Sequence, residues 1–168
     1  MISAAYCRTM ARYNAWQTDQ LCGVLAELDR AALTQDRGAF FGSILRTLSH
    51  LVWADWGWIS RFDGGSGPEC ALDQSPDMFS DLETWQAARQ QLDARIQSWA
   101  GQVTDAELAS DLSFYSGVLQ QDVTRPFGPC AVHFFNHQTH HRGQVHCMLT
   151  AAGATAPVSD LFLIPEDA

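Results

Sequence analysis

Apolar residues recur three or four positions apart in four stretches of the chain, which is the period of a helix with one buried face. In the first, spanning residues 3 to about 28, they fall at Tyr6, Met10, Tyr13, Leu21, Val24 and Leu28, with Asn14 and Trp16 in the middle. The polar run from 29 to 38 reads as a connection. A second helical pattern covers residues 40 to about 62, with its clearest stripe at Ile44, Leu48, Leu51, Ile59 and Phe62. Trp53, Trp56 and Trp58 cover other sides of it, so this helix is buried on more than one side. At 100 degrees per residue Asp55 falls inside the stripe, whereas His50 lies away from it, near Ala54, Gly57 and Arg61. A carboxylate buried alone is costly. Asp55 therefore needs a partner, either an Arg or a histidine N–H, and a structural role is the favoured reading.

Residues 63–80 are rich in Gly, Pro, Ser and Asp and read as a surface loop. Ser80 and Glu83 then form a capping-box signature. The third helix follows to about residue 100, with Leu82, Trp85, Leu92, Ile96 and Trp99 as its stripe and Gly101 placed to end it. Thr104 and Glu107 repeat the capping pattern ahead of a short turn. Between 112 and 127 the helical period disappears, and a short hairpin or extended crossover is expected, with Pro126 confining its strand to an edge. Pro129, near the first position of the fourth helix, costs nothing there. That helix runs to about 152, with Gly153 at its C-terminus. One of its faces carries Val132, Phe135, Val145 and Leu149, and the opposite face carries His133, His137, His140, His141 and Gln144. Arg142 lies on the apolar side, where a structural salt bridge is expected. The tail from 154 onward should pack back as an extended segment. Together these elements predict one all-α domain over residues 1–168, a four-helix bundle with a long crossover between the third and fourth helices.

Composition narrows the class. With 168 residues, 46% of them apolar, the chain can bury a continuous core. A formal charge of -9, with ten Arg and no Lys to set against it, argues against nucleic-acid partners, which need clustered cations. Five cysteines with no C-x-x-C pair suggest neither a disulfide framework nor a cysteine zinc site, and the cytoplasm is the simplest compartment. The first residues do not read as a signal peptide. No apolar run reaches the roughly 20 residues of a membrane span, so a soluble protein is expected.

The candidate chemistry lies in the fourth helix, which holds four of the chain's six histidines within nine residues. Residues four apart share a helix face, so His133, His137 and His141 form a ladder with His140 to one side. Converging neutral imidazoles suit zinc, nickel, copper or iron. The plainer alternative is a solvated polar face. Because the histidine face opposes the apolar face, a site in a groove is favoured over histidines satisfied in the core.

Three segments resemble the DinB family: Tyr13-Asn-Ala-Trp16, the run from Ser43 through His50 to Asp55, and Phe135-Asn-His137-Gln-Thr-His140-His141-Arg-Gly-Gln144. Gly153 and the tail around Asp160-Leu161 also fit. The resemblance implies a four-helix bundle, commonly a homodimer, with a divalent metal held by His50, His137 and His141. Spacing alone singles out His137 and His141 and is merely compatible with His50. His133 and His140 remain competing ligands, or supporting or solvent-facing groups. Zinc or nickel is the expected metal, with iron or copper as alternatives.

Three histidines and an open position are the arrangement of a catalytic metal. Family members include thiol S-transferases and a mycothiol-dependent maleylpyruvate isomerase, so the resemblance implies transfer of a low-molecular-weight thiol to an electrophilic small molecule. A metal-dependent hydrolase is the alternative, disfavoured because no Glu sits beside the histidines as in H-E-x-x-H. A non-enzymatic metal-binding stress-response protein is the third reading, and a fourth ligand from His133 or His140 would support it.

Overall fold

The computed structural model describes residues 2–166. In chain order it contains α1 (Ala4–Leu25), α2 (Arg30–Thr34), α3 (Ile44–Asp63), α4 (Leu82–Gln102), α5 (Asp105–Leu108), β1 (Asp111–Ser116), β2 (Gln121–Pro126) and α6 (Phe127–Ala151). Two 3-10 turns, Leu72–Asp77 and Leu161–Leu163, lie in the long connection after α3 and in the tail. The protein is mostly helical with a small sheet, which corrects the all-α expectation.

Three of the long helices, α1, α3 and α4, begin where a side-chain oxygen accepts an orphan amide of the first turn. Ser3 accepts from the Tyr6 amide in α1, and Ser43 from the Arg46 amide in α3. The α4 cap is Asp81, which accepts from the Thr84 amide, and not Ser80 as expected. Ser80 instead donates to Asp81 Oδ2 at 3.0 Å. Thr104 and Glu107 form the capping box foreseen for α5. The fourth long helix starts two residues earlier than its Pro129 suggested: Pro126 is the cap, and the Phe127 amide reaches the Ser110 carbonyl at 2.9 Å. Pro129 then stands third in the helix, still within the turn whose amides have no intrahelical acceptor.

At the other end of α6, Gly153 takes φ +80, with its amide on the Thr150 carbonyl and the Ala154 amide on the Leu149 carbonyl. This is a Schellman closure, which a residue with a Cβ would strain. Gly101, by contrast, does not end α4. That helix continues to Gln102 and stops at Val103, whose ψ of 139 is extended. The polar run 29–38 is also more than a connection, because Asp29 caps the one-turn α2 that buries Leu33.

Helix α1 packs on α4, α3 packs on both α4 and α6, and α1 touches α6. Their shared core includes Leu25, Ile44, Leu48, Val52, Ile59, Trp85, Ile96, Phe134, Phe135 and Leu149. An aromatic tier closes one end, with Phe62 stacked on Trp99 at 5.0 Å and edge-on to Phe134 at 5.5 Å.

A charged cluster crosses this core. Arg89 of α4 reaches Asp55 Oδ2 at 2.5 Å and Asp93 Oδ1 at 2.6 Å, while Gln138 of α6 donates to Asp55 at 2.9 Å and accepts from Asn14 of α1. Burial works against the Arg89 charge, yet Asp93 and Asp55 together hold its pKa above the ordinary value. Of the two partners considered for Asp55, the structure supplies the Arg and no histidine. The salt bridge expected of Arg142 does not form among the described residues. Its guanidinium lies 5.2 Å from the Tyr13 ring centre and donates to Thr139 Oγ1 at 3.4 Å.

Strands β1 and β2 pair antiparallel, from Asp111 opposite Pro126 to Ser116 opposite Gln121. Leu112, Phe114 and Ser116 alternate inward with exposed neighbours, a period of two that explains why the helical pattern fails here. Both strands are edges, so Pro126, which lacks an amide, is tolerated at the end of β2. All five cysteines are free thiols. Among the described residues no helix is long and apolar enough to cross a membrane.

Candidate metal centre

Ser43 fixes the start of α3, and His50 then lies two turns in. On the helical wheel it sits off the main stripe, but it is only 6% exposed. The side it occupies is covered by two elements, α6 and the 3-10 turn at Leu72–Asp77. That turn buries Ser75 completely and brings its Oγ to 2.9 Å from His50 Nδ1. Residues 63–80 are thus not merely a surface loop. Phe41 stacks on the His50 ring with centres 4.1 Å apart, and Trp53 flanks it at 6.1 Å.

From α6 come His137, half-buried, and His141, 6% exposed. Their four-residue spacing places the two Nε2 atoms 3.1 Å apart. The His50 ring centre is 4.9 Å from that of His141 and 5.5 Å from that of His137. One ligand atom from each of the three lies within 4.8 Å of the others, and among the described residues no carboxylate or thiol joins them.

The hydrogen bonds fix which nitrogens are free. Gln144 Nε2 donates to His140 Nε2 at 3.2 Å, so its Oε1 faces His141 Nδ1 at 2.8 Å as an acceptor. His141 must therefore carry its proton on Nδ1 and a lone pair on Nε2, directed at His137. His50 Nδ1 is engaged by Ser75 Oγ at 2.9 Å, which leaves Nε2 as its free ring nitrogen. Two imidazole nitrogens at 3.1 Å share either a proton or a cation. With metal–nitrogen bonds of about 2.1 Å, a tetrahedral pair stands about 3.4 Å apart. The residues fit a divalent metal: His137 Nδ1 is buried with no partner, and coordination through Nε2 would place the ring proton there.

Burial, reinforced by the neighbouring imidazoles, depresses the histidines' affinity for protons. His50 titrates at about 4, His137 at about 3, and His141 also below its usual range. All three are thus neutral at physiological pH, the state a metal ligand needs. In the unfolded chain they would titrate near 6.5. As pH falls below about 6.5 the unfolded state takes up protons that the fold refuses, so metal-free protein loses stability down to about 3, where His137 also charges. The urea midpoint of metal-free protein is expected to be lower at pH 5 than at pH 7; an unchanged or higher midpoint would contradict this.

The competing histidines do not enter the cluster. His133 is exposed and rests on Trp58 at 5.0 Å, and His140 is exposed and held by Gln144. Sequence reasoning overlooked Ser75, because nothing in a Gly- and Pro-rich segment marks one serine as buried. It placed Gln144 on the histidine face without a role. Groups that orient ligating histidines are typically worth about 10–100-fold in metal affinity. Ser75→Ala and Gln144→Ala are each expected to weaken metal binding by about that factor without abolishing it, as read by competition with a chromophoric chelator.

A cleft of about 410 Å³ lies elsewhere, lined by Phe62, Asp63, Arg95, Trp99, Glu107 and Phe127 among others. Its charges are already committed: Arg95 pairs with Asp63 at 2.7 Å, and Glu107 belongs to the α5 cap. The histidine cluster, with lone pairs converging on one point, is the stronger candidate.

Fold and site together define a mostly helical protein with a three-histidine cluster able to hold a metal ion. The model of the DinB family matches residues 1–167, and the chain belongs to that family. It is 28% identical over 150 residues to Protein DinB of Bacillus subtilis (strain 168), covering 86% of each chain. In fold it is similar to the crystal structure of a DinB-like protein from Bacillus cereus ATCC 10987, with a TM-score of 0.52 and 21% identity over 84% of this chain and 89% of that one.

Proposed function

We propose that His50, His137 and His141 hold a divalent metal, zinc or nickel, and that the protein transfers a low-molecular-weight thiol to an electrophilic small molecule. The four long helices serve as the bundle that frames the site, at the seam of α3 and α6. The observation carrying this reading is that three imidazoles converge with no fourth ligand among the described residues, which suits a catalytic rather than a structural ion. A bound divalent metal supplies positive charge that lowers the pKa of a thiol or water brought beside it.

The chain's own residues do the rest. Gln144 Oε1 retains the proton on His141 Nδ1, and Ser75 holds the His50 ring in place. Phe41 covers the His50 face at 4.1 Å and limits water there. Hydrolysis is the second reading, and it wants a base: among the described residues no carboxylate joins the cluster, and Asp55 of α3 is engaged by Arg89 and Gln138. The non-enzymatic reading wanted a fourth ligand from His133 or His140, and neither is in the group.

The test is to reconstitute untagged protein with zinc or nickel and follow conjugation of small thiols to a bimane electrophile. Metal-dependent turnover that disappears on chelation is expected. Turnover with no thiol, alongside metal-dependent cleavage of ester or amide substrates, would replace the transferase reading by the hydrolase one.

A further inference from the structure

A second feature lies along the same seam, beyond His137. One turn earlier on α6, His133 stands 5.9 Å from the His137 ring and 5.0 Å from Trp58 of α3. The guanidinium of Arg61 lies 4.5 Å from the Trp58 ring centre and 4.7 Å from that of Phe114 on β1. Trp58, Arg61, Phe114 and His137 are all half-buried and His133 is exposed, so this strip is open to solvent along its length.

Arg61 has neither a hydrogen bond nor an ion pair among the described residues. The other well-anchored arginines are occupied: Arg46 with Asp77, Arg89 with Asp55 and Asp93, Arg95 with Asp63, and Arg37 with the carbonyls of Ala32 and Gln35. In a chain of net charge -9, Arg61 thus presents a guanidinium that no acid or carbonyl among the described residues engages. A guanidinium packed against ring faces keeps its N–H edge free, and that edge matches a carboxylate bidentately. Packing against two rings also removes much of the rotamer freedom that binding would otherwise have to quench.

We propose that Arg61, fixed by Trp58 and Phe114, is the subsite for a carboxylate carried by the small-molecule thiol, so that the strip from His137 past His133 to Arg61 measures the length of that cosubstrate. The choice of a thiol as occupant rests on the proposed function. The anion site itself rests only on the Arg61 geometry. It also gives the hairpin a task, since β1 supplies the ring that closes Arg61 from the second side.

The experiment uses protein loaded with cobalt(II), whose sulfur-to-metal absorption band reports thiol binding without turnover. A graded series of ω-mercaptoalkanoates is titrated against ω-mercaptoalkanols of equal length. Wild type is expected to prefer the acid by at least about tenfold at one optimal length. Arg61→Gln should lose that preference while binding the alcohols as before, which shows that the variant is folded. Arg61→Lys, a charge without the fork, should retain part of it. An acid preference equal in wild type and Arg61→Gln, or absent at every length, overturns the proposal. If no thiol produces the band, the thiol reading fails by itself. The anion site is then read from the Arg61 Nε–H NMR resonance titrated with alkanoates and matched alkanols: a shift specific to the acids supports it, and no such shift overturns it.

Discussion

Untagged His141→Ala is expected to come through purification and metal loading with almost no bound metal, against about one ion per chain for wild type. His141 is the pivot of the cluster. Its Nε2 faces His137 at 3.1 Å, its ring is 4.9 Å from that of His50, and Gln144 fixes its tautomer. Losing it leaves two nitrogens on different helices, and two ligands do not hold a transition ion against chelators. The expected fall in affinity exceeds the 10–100-fold typical of supporting groups. His50→Ala and His137→Ala should behave alike, whereas His133→Ala and His140→Ala should keep near-wild-type metal content. Elemental analysis after dialysis decides it. Equal metal in wild type and His141→Ala, or none in either, would defeat the site, and loss of metal in His140→Ala would move its boundary.

The second large effect is one of stability. Asp55→Ala removes the carboxylate that accepts from both Arg89 and Gln138 in a fully buried position. Breaking a buried pair by deleting one partner costs about 3–5 kcal/mol, because the remaining charge stays desolvated. Asp93 still faces Arg89 at 2.6 Å, so the low end, about 3 kcal/mol, is expected, together with a fall in melting temperature of several degrees. Urea denaturation of the metal-free forms measures it without interference from ligand binding. A change below about 1 kcal/mol would mean that water or a side-chain shift replaces the lost acceptor. Arg89→Leu should be worse, since it strands two carboxylates.

How far the site could be read from the sequence follows the range of each contact. The pairing of His137 with His141 is local, set by a four-residue spacing, and spacing alone proposed it. His50 meets them only through the packing of α3 on α6, and its wheel position pointed away from the stripe. Only the family resemblance singled it out. Ser75 could not be read at all, because the burial of a 3-10 turn depends on what α3 offers it. Asp55 was legible as a carboxylate in need of a partner, though Arg89 and Gln138, on two other helices, were not. The hairpin shows in the sequence as a loss of helical period, but two short strands beside four long helical patterns leave all-α as the expected class. The cap of α4 slipped by one residue because Ser80 and Asp81 are both good caps, and only the local backbone chooses between them.

The tail bears on the rate at which the histidine helix can open. Beyond Gly153 the chain turns back over α1, where its Ser159 carbonyl accepts from Tyr13 Oη at 2.6 Å and its Val158 carbonyl from Gln17 Nε2 at 3.0 Å. The end of α6 is thereby fastened to a helix that is not its sequence neighbour. Unwinding the last turns of α6, two turns past His141, requires those bonds to release as well, so the segment should open with the whole fold and not by fraying. An ion held by the cluster is then expected to leave more slowly than it would with the tail released.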